Sequence, residues 1–149
     1  MEQPTKYKDN LAMTGEITVK INGVIVLHKH NLITDLGKRA IAKAIAGKGM
    51  ETPKYLWISD NITPPAASDD ASDFATLGVD AFCGVTIDNI RFQPTYTEMT
   101  AMLGKPDGNF TWKKLGIVSR NNLLLAEVAV NFAGKTSSDC AQVEWRWTL

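Results

Sequence analysis

The sequence predicts a mostly β fold, an antiparallel β-sandwich of jelly-roll or immunoglobulin-like type with one short α-helix packed on it. Three observations carry this. Near the C-terminus Ala141, Val143, Trp145, Trp147 and Leu149 alternate with Gln142, Glu144, Arg146 and Thr148, the period of a strand with one buried face. Asn22-Gly23 stands between two β-rich runs, and that dipeptide accepts positive φ at both positions, as a two-residue hairpin turn requires. Helical spacing of apolar residues occurs in one stretch, about residues 34–45, while short strand-like runs and turn residues recur elsewhere. Several short strands with one helix pack most simply as two facing layers.

Residues 1–13 are polar, carry Pro4 and show no periodicity, so they are expected to form a flexible arm preceding a single domain over 14–149. Residues 15–29 predict the hairpin: Ile17, Val19 and Ile21 alternate with Glu16, Thr18 and Lys20. The return strand Val24-Ile25-Val26-Leu27 is almost continuously apolar, which predicts cover on both faces. Thr34 or Asp35 can cap the helix. Leu36, Ala40, Ile41, Ala44 and Ile45 then share one face, Lys38, Arg39 and Lys43 the other, and Gly47 and Gly49 stop it.

Residues 54–59 read as a strand, and 60–76 as an acidic, Pro- and Ala-rich loop without regular structure, which at that length is usually functional or mobile. Strand character returns over 82–92. Residues 94–108 hold Pro94, Gly104, Pro106 and Asp107-Gly108, which predict at least one turn. Strands follow at 110–119 and 123–132, joined through Arg120-Asn121-Asn122, with Ala126, Val128, Val130 and Phe132 set against Glu127, Ala129 and Asn131. A turn over 134–139 leads to the last strand.

The chain has 149 residues, 44% hydrophobic and 21% charged, which fits one globular domain able to fold without disulfides or metal. Lys plus Arg and Asp plus Glu are 16 each. The basic excess of most nucleic-acid binders is missing, so no nucleic-acid partner is expected. Zero net charge weakens the repulsion between copies and favours a protein that lives in an assembly. Met1 to Asn10 contain no apolar run of the signal-peptide kind, and nothing approaches the ~18 apolar residues of a membrane span; no membrane partner is expected. Cys83 and Cys140 are read as buried reduced thiols, with a disulfide open only if their Cα atoms lie within about 7 Å.

The motifs of catalysis and metal binding are weak. His28 and His30 point the same way on a strand, but two ligands are too few for zinc, and they are read as solvent-facing. No G-x-S-x-G turn accompanies a serine. Asp60, Asp69, Asp70 and Asp73 lack the spacing of a calcium loop and are read as solvated charges. Trp57, Trp112, Trp145 and Trp147 could stack on sugars or bases, but the strand phase of the last two predicts core. The basic helix face is read as solvated. The expectation is no enzyme, no cofactor and no metal.

The order of segments resembles a recurrent type of small structural virion protein of tailed bacteriophages. Asn31-Leu32-Ile33-Thr34-Asp35-Leu36-Gly37-Lys38-Arg39 is similar to that family's "N-L-I-x-D-x-G-(K/R)" entry to a short helix. Trp57-Ile58-Ser59-Asp60 and the following Pro/Ala/Asp-rich loop, residues 125–132, Lys135-Thr136-Ser137-Ser138-Asp139 and residues 143–149 resemble later parts. The chain departs from the pattern in having Ser59-Asp60-Asn61 for a Gly-rich "G-T-G", and in lacking the acid and aromatic of an "E-x-G-(L/I)-F" strand at residues 113–118. The resemblance implies a β-sandwich that is a virion component, assembled in the host cytoplasm. Such a protein is expected to be a decoration or accessory subunit attached to capsid or tail through protein–protein interfaces, and to be a homo-oligomer. A receptor-binding module of a tail fibre or baseplate is the alternative. The arm and the 60–76 loop are the candidate contact segments, with Tyr7, Lys8, Pro64, Pro65, Asp69 and Asp70 as candidate interface residues.

Overall fold

The computed structural model describes residues 14–49, 51–75 and 81–148. The described residues form nine strands and two short helices. In chain order these are β1 (Thr14–Ile21), β2 (Val24–Ile33), α1 (Asp35–Ile45), β3 (Pro53–Ser59), α2 (Ala71–Ala75), β4 (Phe82–Thr86), β5 (Asn89–Phe92), β6 (Tyr96–Leu103), β7 (Trp112–Ser119), β8 (Leu124–Phe132) and β9 (Ala141–Thr148). The predicted arm, with Tyr7 and Lys8, lies outside the described residues.

All neighbouring strands are antiparallel, in the order β4-β3-β7-β8-β2-β1-β9-β6-β5. The sheet curls until its two halves face each other. One corner is made by β2, which pairs with β1 along its length but with β8 only at Leu32 and Ile33. The other is made by Ile87 and Asp88, which join the strands at opposite ends of the order. The Ile87 N–H donates to the Lys54 carbonyl (2.8 Å), and the Asp88 N–H to the Thr100 carbonyl of β6 (2.9 Å). The mostly β, sandwich-like fold expected from the sequence is therefore present.

The core fills the space between the halves. Ile17, Val19, Met99, Ala101, Leu103, Val143 and Trp145 of one half meet Leu56, Ile58, Trp112, Leu115, Ile117, Ala126, Val128 and Val130 of the other. The period-2 pattern of β9 is obeyed through Trp147, with Ala141, Val143, Trp145 and Trp147 buried. The hairpin turn is as expected, Asn22 and Gly23 having φ of 49° and 83°.

Several expectations are corrected or refined. Val24, Ile25 and Val26 are 64%, 61% and 43% exposed rather than covered on both faces, because the tip of the hairpin runs past the only place where β2 meets β8. The strand character expected over 82–92 is present as two strands, β4 and β5, which the corner at Ile87-Asp88 sends to opposite ends of the sheet. The turn expected in residues 94–108 is present, the Asp107 N–H donating to the Gly104 carbonyl (3.1 Å), but the segment also contains a full strand, β6, whose Met99, Ala101 and Leu103 face the core. The segment expected to be a loop over 60–76 contains, in its described residues 60–75, a second helix, α2, and packs on the sheet. The apolar face of α1 is shorter than its spacing suggests: Gly37 and Ala40 are buried, Ala44 and Ile45 are exposed.

The cysteines are both free, but neither is fully buried. Cys140 is exposed and Cys83 half-buried. Burial pushes the Cys83 thiol above its ordinary pKa, helped by the nearby Asp107 carboxylate. Reactivity follows thiolate fraction and access. Cys140 is therefore expected to react first with a maleimide at neutral pH and Cys83 to lag behind it, as read by mass spectrometry of the singly labelled protein. Labelling of Cys83 first would contradict this packing.

Candidate functional site

An antiparallel pair normally alternates between core and solvent. In β7 and β8 it does not. Lys114, Leu115, Gly116, Ile117, Val118 and Ser119 are all buried, as are the residues from Leu124 to Val128. The outer face of these strands is roofed by α1 and by the 60–75 segment, which places a second, smaller cluster of Phe74, Val118 and Leu124, with Tyr55 and Trp57, outside the sandwich. Gly116 makes room for it. A Cβ there would lie 2.9 Å from the Phe74 ring, so the ring rests on bare backbone.

The segment is held by a set of polar contacts. Asn61 is buried; its Nδ2 donates to the carbonyls of Asp73 (2.9 Å) and Phe74 (3.1 Å), and its Oδ1 accepts from the Thr63 N–H (2.8 Å). Asp70 caps α2, accepting from the N–H groups of Ser72 (2.9 Å) and Asp73 (3.0 Å), while Asp73 Oδ2 accepts from the Asp70 N–H (2.9 Å). This reciprocal pattern is a capping box; the Ser72 hydroxyl, which also donates to Asp70 Oδ1 (2.7 Å), does most to hold the exposed Asp70 carboxyl below its ordinary pKa, and the backbone N–H groups add to it. The start of α1 is tied in the same place. Thr34 Oγ1 accepts from the Gly37 N–H (3.0 Å) and donates to the Leu124 carbonyl (2.6 Å), and the Asp35 N–H donates to the Ala67 carbonyl (2.8 Å).

At the centre is Glu127. It projects from β8 opposite Gly116 of β7 and Leu32 of β2, and it is fully buried. The Ala66 N–H is shared between Glu127 Oε1 (3.1 Å) and Asp69 Oδ2 (2.9 Å). Glu127 Oε2 accepts from no donor among the described residues, and the carboxyl faces that of Asp69 across the shared Ala66 N–H. Two facing carboxylates repel unless one carries a proton. Burial, reinforced by Asp69, pushes Glu127 up to about 8. The hydrogen bond from Glu127 holds Asp69 below its ordinary value. At neutral pH the proton therefore sits on Glu127, which donates to the Asp69 carboxylate. Lys114, buried on β7 beside the Phe74 ring, tempers the burial of both.

Of the candidate residues expected from the sequence, Pro64 and Pro65 lie on the outer side of this roof, exposed and half-buried respectively. Asp69 is not a solvated charge; it turns inward to Glu127. Asp70 is solvated and serves α2. Sequence reasoning missed Glu127, Lys114 and Asn61. For Glu127 the strand alternation itself misleads, because it places the side chain on the face that normally meets water. The unbroken apolar run from Leu115 to Val118 was a usable signal that both faces of this strand are covered.

The outer face of the other half is polar and open. Glu16, Thr18, His28, Glu98, Glu144 and Arg146 line a shallow cleft there. Arg146 pairs with Glu98 (2.8 Å) and stacks 4.0 Å over the Tyr96 ring, and Lys20 pairs with Glu144 (2.9 Å). His28 and His30 both point outward, 6.4 Å apart, with His28 Nδ1 3.0 Å from Thr18 Oγ1. Among the described residues no group of three His, Cys, Asp or Glu side chains is placed to hold a metal ion, and no helix is long and apolar enough to cross a membrane. No family model matches the chain, and no curated protein or solved structure matches it.

Proposed function

We propose that this chain is a non-enzymatic structural component of a bacteriophage virion, a decoration or accessory subunit attached to capsid or tail through protein–protein interfaces. The observation that carries the reading is the hairpin tip. Val24, Ile25 and Val26 expose three consecutive β-branched side chains on a strand whose outer edge is paired only at Leu32 and Ile33. Open, apolar strand edges are surfaces that other chains cover. The resemblance of the segments around the helix and at the C-terminal strands to small phage virion proteins supports the same reading. Partners are then other virion proteins, with further copies of the chain on a symmetric shell. A typical specific interface buries about 1,200–2,000 Å², and many weak attachments on one particle add avidity.

The test is cosedimentation of the purified protein with particles that lack it, with the solution mass measured by light scattering. Ile25→Lys is expected to leave the fold unchanged, since the side chain is exposed, and to lower occupancy on the particle by about tenfold or more, the size of one lost interface anchor. Removal of residues 1–13 is likewise expected to lower occupancy. Binding to host cells in place of particles would shift the assignment to a receptor-binding module of a fibre or baseplate. Failure of the unaltered protein to bind either would overturn the proposal.

A further inference from the structure

The roof over β7 and β8 rests on a contact that requires a proton. We propose that the Glu127–Asp69 pair is a proton-held latch: the shared proton clamps the 60–75 segment on the sheet, and its loss loosens that segment while the sandwich beneath stays folded.

The geometry makes the proton necessary. Glu127 is fully buried, its Oε2 has no partner among the described residues, and its Oε1 meets Asp69 Oδ2 at the Ala66 N–H. A single N–H, that of Ala66, serves both carboxyls. The charged groups facing the pair are few. Lys114 approaches from β7, Asp70 adds negative charge from the segment itself, and Asp35 and Arg39 of α1 lie beside Asp70 and Ser68 at the rim. The β2 residue across from Glu127 is the uncharged Leu32. Deprotonated, Glu127 would set a second negative charge against Asp69 on a side chain that is itself shielded from water. The segment is also separable from the sandwich: Asn61 Nδ2 braces it internally through the carbonyls of Asp73 and Phe74, and Phe74 packs on Val118 and Leu124 in a cluster outside the main core.

The sign of the pH dependence follows from where the proton is held. With the roof closed Glu127 keeps its proton up to pH about 8; exposed to water its ordinary value is 4.5. Between these limits the closed form binds one proton more than the open form. Closure is therefore fully favoured below 4.5, weakens about tenfold per pH unit as pH rises, and levels off above about 8. Asp69 acts oppositely, its lowered value meaning that the acceptor is lost as pH falls below 3.8. Closure is thus strongest in the narrow region just above pH 4.

Amide exchange followed by NMR from pH 5 to 9, corrected for the intrinsic pH dependence of exchange, tests this. Protection of Ala66 and its neighbours is expected to fall about tenfold per unit and to level near 8. It is also expected to stay well below that of Trp145 in β9 at every pH. In Glu127→Gln the amide donates to Asp69 as the acid does, so protection is expected to be flat with pH and higher than in the unaltered protein at pH 8.5. Asp69→Asn removes the facing charge and should bring the levelling point below 8. A flat profile in the unaltered protein, an unchanged slope in Glu127→Gln, or an unchanged levelling point in Asp69→Asn would overturn the proposal. Equal protection at Ala66 and Trp145 would also overturn it, because the segment would then leave the sheet only when the whole chain unfolds.

Discussion

Trp112→Ala is expected to destabilise the fold by about 3–5 kcal/mol, the range for removing a fully buried aromatic side chain. For a chain of this length that lowers the melting temperature by on the order of 10 °C. Trp112 opens β7 with no exposed surface. Its ring meets Phe132 edge-on at 5.1 Å, and its Nε1–H donates to the Gly108 carbonyl at 2.8 Å. The residue therefore fills the core and also fixes the turn that brings the chain from β6 to β7. A pair of milder substitutions separates the two roles. Trp112→Phe and Trp145→Phe remove the same ring volume from two buried sites, but Trp145 Nε1 has no partner among the described residues. Only the first gives up a hydrogen bond, while the Gly108 carbonyl keeps the one from the Phe110 N–H (2.9 Å); the second removes a buried N–H that had no acceptor among the described residues. Trp112→Phe is expected to cost about 1–2 kcal/mol more than Trp145→Phe, as read from urea midpoints at constant slope. Equal costs would show that the Gly108 bond contributes nothing.

The parts of the fold that could be read from the sequence are those where local chemistry and tertiary packing agree. Asn22-Gly23 turns the first hairpin because both residues must take positive φ, and Asn122, at φ 63°, does the same between β7 and β8. Thr34 caps α1 because its hydroxyl reaches the Gly37 N–H. Strand β9 alternates because one of its faces meets the core and the other meets water. Where a distant segment changes what a face meets, the pattern loses its meaning. Val24, Ile25 and Val26 look like a buried strand and are exposed, whereas Glu127 and Lys114 look solvated and are buried. Both outcomes follow from the curl of the sheet and from the roof laid across β7 and β8, which depend on contacts between residues some 60 positions apart, as between Ala66 and Glu127. Strand β6 escaped for a different reason. Its alternation is carried by small and flexible residues, Thr100, Ala101 and Met102, and is weaker as a signal than the prolines and glycines around it.

This coupling gives the candidate site its character. A carboxyl on the outer face of a sheet would ordinarily be solvated and indifferent to pH near neutrality. Covered by residues 60–75, the same carboxyl becomes a buried acid whose charge state reports whether the cover is in place. The predicted contact segment and the missed residues are therefore one structure: Pro64 and Pro65 are presented outward by the same turn that sends Asp69 inward.

Gly37→Ala is expected to destabilise the protein by about 2–3 kcal/mol, although the same change in an isolated helix would stabilise it by up to about 1 kcal/mol. The reversal comes from how closely α1 approaches β8. A Cβ at residue 37 would lie 2.1 Å from the Leu125 carbonyl oxygen and 3.1 Å from Ile33 Cγ2. Main-chain atoms of a central strand cannot move aside cheaply, so the helix must lift. Lifting it strains the bonds from the Thr34 N–H to the Leu125 carbonyl (3.1 Å), from Thr34 Oγ1 to the Leu124 carbonyl (2.6 Å) and from the Asp35 N–H to the Ala67 carbonyl (2.8 Å). The last of these ties α1 to the roof, so loss of stability should be accompanied by lower amide protection over 61–75. Lys38→Ala, one residue along on the exposed side, controls for helix propensity and is expected to change stability by less than about 0.5 kcal/mol. A Gly37→Ala protein as stable as the unaltered one, or more stable, would mean that α1 does not sit against β8 in solution.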